Sequence, residues 1–261
     1  MMNIEYSAGA IEATDCIKNG WNLVKQNYGL YLGITVVAMI LTGCITCLNL
    51  FLIGPVIGGV YFVVLREMRG EPIDFGMMFK GFEKFVPLMV IGVVQSIPEI
   101  IGQGIRITLD VGRLGLLGGK QDSDFQFFQS SNPEIAIASG LMIVIVIVAL
   151  ILMLFAIAWR VLLYFAIPLA MEHDLGPVEA MKLSAKAAMS NVGGLIVLFI
   201  LEALVAVLGV LMLCIGVFFV MPIIFVANVF AYRQVFPLIE RHFNVNPPPP
   251  IVYGSNFGQG M

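Results

Sequence analysis

Charge is scarce in this chain. Asp, Glu, Lys and Arg make up 12% of its 261 residues, about half the roughly 25% carried by soluble globular proteins. Histidine is nearly missing, with His173 and His242 far apart in sequence, and there are only four cysteines. That speaks against a Cys/His metal cluster and against a disulfide scaffold. No Asn-x-Ser/Thr acceptor occurs, so nothing points to a glycosylated surface. Residues 1–27 contain Glu5, Glu12 and Asp15 and lack the apolar core of a cleavable leader, so the first apolar span is expected to act as its own signal anchor. A net charge of -3 spread over both signs leaves no nucleic-acid footprint.

What is abundant is apolar sequence. Residues 28–68 run almost without charge, broken by the turn-like stretch from Thr46 to Asn49, and further tracts follow at 137–171 and 192–232. Tracts longer than ~18 apolar residues read as bilayer spans rather than core helices. The predicted fold is an all-α membrane protein with six transmembrane helices, arranged as three hairpins with short cytoplasmic amphipathic helices. Spans are expected at about 28–48, 51–67, 86–106, from 138 through Arg160 to Met171 as one long helix, 192–213 and 217–235. Tight turns fall near Asn49 and Gly216. Pro98, which lacks a backbone donor, predicts a kink in the third span. Residues 107–137 are the longest polar stretch and read as an inserted outer loop. A single polytopic domain, 1–242, is followed by a Pro-rich tail at 243–261 that should be extended and disordered.

Three amphipathic stretches introduce the hairpins. In 10–26 the stripe is Ile11, Thr14, Ile17, Trp21 and Val24; in 74–85 it is Phe75, Met78, Phe79, Phe82 and Phe85. The third, 177–190, opens with Pro177, which suits a first helical position, and carries Glu179 in its first turn. Lysine and arginine then set orientation. With both termini inside, 11 of the 14 basic residues face the cytoplasm, and only Arg106, Arg113 and Lys120 lie outside.

The chain also matches itself at a shift of 167 residues. Gly9 falls on Gly176, Glu12 on Glu179, Pro55 on Pro222 and Arg66 on Arg233, giving repeat-like halves 9–66 and 176–233. Both begin on the same side, so a symmetry axis would lie along the membrane normal, as in parallel-repeat transporters. The middle section keeps the element order but lacks the proline.

Two segments carry a resemblance. "WRVLLYFAIPLAMEHDLGPVEAMKLSAKAAMSN", ending at Asn191, and "GPVIGGVYFVVLREMRGEPIDFGMMFKGF", residues 54–82, resemble bacterial multi-pass membrane families of unknown function. These are related to the membrane domain found N-terminal to some glycerophosphodiester phosphodiesterases. The chain departs from them by lacking the usual proline ahead of Arg160 and by its 107–137 insertion. It has no phosphodiesterase domain, so no catalytic residue carries over. The resemblance implies a multi-pass protein of a bacterial cytoplasmic (inner) membrane.

Glu202 is the most unusual residue. It lies about ten residues into the fifth span, where an ionised carboxylate costs at least ~2.5 kcal/mol. Asn228, Gln95 and Glu99 are its candidate neighbours, together a candidate intramembrane polar site. One reading is an ion- or proton-coupled translocation site. The other is a buried interhelical hydrogen bond, worth ~0.6 kcal/mol. Arg66, Arg160 and Arg233 each close an even-numbered span. They either snorkel to the interface or contact lipid phosphates. Cys44 and Cys47 have Cys-x-x-Cys spacing but end a span, where no helix dipole stabilises thiolate, so with Cys214 they read as packing residues. Leu114 to Lys120 lacks the first Gly and the Ser/Thr of a phosphate loop. Gly54 and Gly58 have the small-xxx-small spacing of close helix contact within the bundle. No catalytic constellation, metal site or cofactor is expected.

Two functions follow from these residues. The first is a non-catalytic membrane protein in envelope organisation, or a membrane partner of another protein, with lipids as its surroundings. The alternative is a small-molecule, ion or lipid transporter using the polar site around Glu202. A cavity touching Glu202 and Asn228 would favour the second, and a closed dry bundle the first. A membrane-embedded lipid enzyme is a weaker third.

Overall fold

The computed structural model describes residues 4–43, 46–116, 133–212 and 215–237, and within them not the side chains at 46–48, 108–143, 145 and 215. Every regular element among these residues is helical. Five helical runs are long and apolar enough to cross a bilayer, and a bent pair passes the same test only when its two halves are counted as one span. The protein is an all-α membrane protein. The tail 243–261, His242, Cys44 and Cys214 lie outside the described residues, as does the Cys47 side chain.

Helix α1 (Ala13–Val24) passes through a short 3-10 turn directly into α2 (Tyr28–Gly43), and α3 (Thr46–Glu67) returns against α2. Asn49 is therefore helical rather than a turn residue. Backbone groups in hydrocarbon must satisfy themselves, which overrides a single turn-favouring residue. Gly216 is likewise inside α10 (Ile215–Val235). Its role is close packing: a Cβ there would sit 2.5 Å from the Gly209 carbonyl oxygen of α9 (Val192–Leu211).

The middle section departs most from expectation. A 3-10 segment, Phe75–Lys84, leads into α4 (Phe85–Gln95) and then α5 (Ile97–Leu116), with a 48° bend between them. Pro98 supplies the reason. It has no N–H for the Val94 carbonyl one turn back, and Trp159 Nε1 donates to that oxygen instead, at 2.9 Å. The expected loop 107–137 is too long, since α5 runs to Leu116 and α6 begins at Pro133. Ile100, Ile107, Val111 and Leu114 recur at helical spacing, so the polar residues among them mark one helix face rather than a loop.

The fourth span is not one helix to Met171. Helix α6 (Pro133–Leu162) stops, and α7 (Ala166–His173) starts after a three-residue break. Pro168 again removes a donor one turn downstream. The opened backbone is filled by side chains. Gln95 Nε2 donates to Leu163 O (2.7 Å), and Ser184 Oγ donates to Leu162 O (2.8 Å) and accepts from Phe165 N (3.0 Å).

Each amphipathic element docks on a returning helix through small residues. Helix α1 packs on α10, the 3-10 segment on α3, and α8 (Pro177–Met189) on α6 and α7. The buried faces are Ala13, Cys16, Gly20 and Val24 in α1, and Ala180, Ser184, Ala187 and Ala188 in α8. In the 3-10 segment they are Met78 and Gly81. The stripes split between two surroundings: Ile11, Val24 and Met78 are buried in the bundle, and the largest side chains turn outward. Trp21 is 48% exposed and Phe79 46%, positions suited to a membrane interface. Gly59 and Gly81 let α3 and the 3-10 segment touch backbone to backbone, and Gly54 does the same for α3 and α4; a Cβ at any of the three would overlap a carbonyl oxygen. The Gly54 to Gly59 stretch thus packs within the bundle.

The N-terminal strap closes the arrangement. Buried Asn191 accepts from Ala10 N (2.9 Å) and donates to Ser7 O (3.0 Å) and Ala187 O (2.8 Å). Cys16, fully buried, contacts Gln234 Oε1 at 3.2 Å.

Candidate functional site

The two helix breaks meet. Gln95 and Ser96 end α4, Tyr164 lies in the break after α6, and the middles of α9 and α10 face them. Between them is a cavity of about 490 Å³. Its wall includes Glu202 from α9, Asn228 from α10, and Gln95 and Glu99 from either side of the α4–α5 bend. The structure therefore places the four polar residues singled out in the sequence around one space. Ile53, Ile57, Phe199, Ile224 and Phe225 supply apolar wall.

The polar groups are not equivalent. Tyr164 Oη donates to Asn228 Oδ1. The Gln95 amide is held by the Leu163 carbonyl. Glu99, in the first turn of α5, faces Arg160 Nη1 at 3.4 Å, with both side chains more than half exposed. Glu202 differs from all of these. It is 9% exposed, and its buried Oε1 has no hydrogen-bond partner among the described residues. An acceptor left in that state carries a desolvation penalty of about 1–3 kcal/mol, more when charged.

The arginines part company. Arg160 does not close its span, because helix resumes at α7 and the candidate span reaches His173. It sits on the cavity wall instead. Arg233 is 10% exposed and forks onto Glu172 through Nη1 (2.9 Å) and Nη2 (2.5 Å). Arg69 Nη2 (2.5 Å) and Tyr232 Oη (2.7 Å) donate to the same carboxylate. Arg66 pairs with Glu71 at 2.9 Å beside a second cavity of about 180 Å³, whose wall includes Arg69 and Glu172. The three arginines thus form no single ring: Arg66 and Arg233 converge near Glu172, and Arg160 lies apart. Lys84 donates to Met171 O (2.6 Å) and pairs with Asp174.

Sequence reasoning missed Tyr61 and Tyr164 at the cavity, Trp159 as the donor at the α4–α5 bend, and Glu172 as the hub of the arginines. A signal existed for Tyr164, one helical turn after Arg160, and for Glu172, the acidic residue ahead of the Leu-Gly-Pro turn.

Comparison with known proteins gives relatives without an assigned role. The chain is 25% identical over 144 residues to an uncharacterised protein of Mycobacterium tuberculosis strain H37Rv, covering 54% of this chain and 43% of that protein. An uncharacterised protein of Mycobacterium bovis matches over the same span at 24% identity. The chain therefore spans less than half the length of these curated relatives. No family model and no solved structure matches it, so the likeness to phosphodiesterase-associated membrane domains rests on the residues quoted above.

Proposed function

We propose that the protein is a non-catalytic carrier or transporter of a small molecule, with the cavity around Glu202 as its binding site. The observation that carries this is Glu202, whose buried Oε1 has no hydrogen-bond partner among the described residues, in the wall of a cavity of about 490 Å³, inside the roughly 300–1,000 Å³ range of ligand pockets. A protein serving only envelope organisation needs no such space. Two broken helices border it, an arrangement that recurs where transporters bind substrates. Tyr164, Asn228 and Gln95 are engaged in bonds that shape the wall, which suits binding rather than chemistry.

The surrounding picture belongs to the same proposal. Six spans with both termini cytoplasmic, in a bacterial inner membrane, suit the lysine and arginine distribution, and moving Arg160 out of the cytoplasmic set leaves the bias intact. The relation of 9–66 to 176–233 gains support from α3 and α10, the returning helices that carry the matched proline and arginine, each of which receives an amphipathic element. Lipids cover the exposed apolar faces of α6 and α9, and Arg66 is the arginine best placed to meet a headgroup.

Filling the cavity tests the reading. Ala206 lines it from α9, and Ala206→Phe should remove any small molecule that native mass spectrometry finds on the wild-type protein released from nanodiscs. It should leave the folded yield near wild type. Identical spectra for wild type and variant would overturn the proposal.

A further inference from the structure

Resting on that cavity reading, we infer that the ligand is an organic cation: a protonated amine carrying an apolar body, seated with its N–H donors on Glu202. Three features of the wall select this class. The first is charge. The ionisable carboxylates and cations on it are Glu99, Arg160 and Glu202; the first two pair with each other at the exposed side, which leaves Glu202 as the surplus. At each helix break a carbonyl end faces an amide end, so the two half-helix dipoles offset one another and add little net preference for an anion.

The second feature is hydrogen bonding. The carboxylate of Glu202, a wall residue, keeps acceptor capacity: its buried Oε1 has no hydrogen-bond partner among the described residues, whereas the Arg160 donors are drawn to Glu99 at the exposed side. Asn228 already accepts from Tyr164, and Gln95 donates to a backbone carbonyl. A carboxylate or phosphate ligand brings more acceptors to an acceptor. An ammonium brings three donors and no acceptor, and a charge-assisted bond in a water-poor site is about twice as strong as a neutral one.

The third feature is the apolar wall. One carboxylate among Ile53, Phe199 and Phe225 cannot replace the six to eight oxygens of a hydrated metal ion. It suits one charged head on an apolar body, whose burial supplies the remaining affinity. Phe199 packs edge-on against Tyr164, with ring centroids 5.3 Å apart. Their π faces are surfaces that attract a nearby cation.

The test is calorimetric titration of the full chain in nanodiscs with three ligands of like size: phenethylammonium, phenethyl alcohol and 3-phenylpropionate. Phenethylammonium should bind about tenfold or more tighter than the alcohol. Glu202→Gln should erase that preference, and Glu202→Asp, which keeps the charge, should retain it. Size-exclusion profiles establish that each variant is folded, and Glu202→Asp carries the comparison should the Gln variant aggregate. Equal binding of amine and alcohol, unchanged by either variant, would overturn the cation assignment, as would tighter phenylpropionate binding abolished by Arg160→Gln. Both results would leave a working cavity, provided Ala206→Phe removes the binding. No binding of any of the three would overturn the cavity reading along with it.

Discussion

Glu172 and Glu202 are both buried carboxylates, and they have opposite surroundings. Glu172, with its side chain 7% exposed, accepts four hydrogen bonds from Arg69, Tyr232 and both terminal nitrogens of Arg233. It joins α7 to α10 and to the chain just after α3, and no acceptor is left over for a ligand. Glu202 is buried to a similar degree, but one of its oxygens has no hydrogen-bond partner among the described residues, and the residue lines a cavity. Burial of a charge therefore does not by itself distinguish scaffold from site. The unfilled hydrogen-bonding position does, because a fold stabilised by a carboxylate saturates it, and a site must keep capacity free.

The strongest way to break this contrast is to remove the charge from Glu172. Glu172→Gln strands the guanidinium of Arg233, which is 10% exposed. Breaking a buried pair by deleting one partner costs about 3 kcal/mol or more. The variant should unfold at markedly lower temperature in detergent, with reduced folded yield. A melting curve matching wild type would show that Glu172 is no more structural than Glu202, and the distinction would fail.

A medium effect is expected where a side chain replaces a missing backbone bond. Gln95→Leu removes the side-chain donor to the Leu163 carbonyl and leaves it only the Ala166 N–H at 3.1 Å. The expected loss is about 1 kcal/mol, within the range for interhelical hydrogen bonds in membranes. It should appear in SDS-titration unfolding, and ligand binding at Glu202 should weaken with it because the α6–α7 break shapes the wall. An unfolding midpoint equal to wild type would mean that the break holds itself open without Gln95.

Such roles explain what was readable in advance. Long apolar tracts gave the class and most helix positions, because hydrocarbon leaves the backbone few options. Glu202, Asn228, Gln95 and Glu99 were visible as polar residues in apolar sequence, and their meeting on one cavity needed the fold. Pro98 announced its kink; the partner that makes the kink tolerable, Trp159, lies 61 residues further on. The docking faces of the amphipathic elements were not legible in their apolar stripes, for a physical reason. Hydrophobicity scales favour Trp21 and Phe79, whereas close helix contact selects Gly20 and Gly81, which admit a neighbouring backbone. Residues 107–116 were read as loop because polar residues in an amphipathic helix look the same as polar residues in a loop until the period is counted.

The smallest stability effect should come from the most informative substitution. Glu202→Gln keeps the shape of the side chain and removes a charge that no described group balances through Oε1. A structural carboxylate would be missed, as at Glu172. A carboxylate held ready for a ligand is a cost to the unliganded fold, so neutralising it should leave the melting temperature unchanged or raise it slightly, by an amount on the order of 1 kcal/mol or less. Differential scanning fluorimetry of wild type, Glu202→Gln and Glu172→Gln in one detergent measures the comparison directly. The ordering Glu202→Gln at or above wild type, and Glu172→Gln well below it, is what a site beside a scaffold requires. Equal losses at the two positions would make Glu202 another structural bond, with its partner reached through a rearrangement of Arg160.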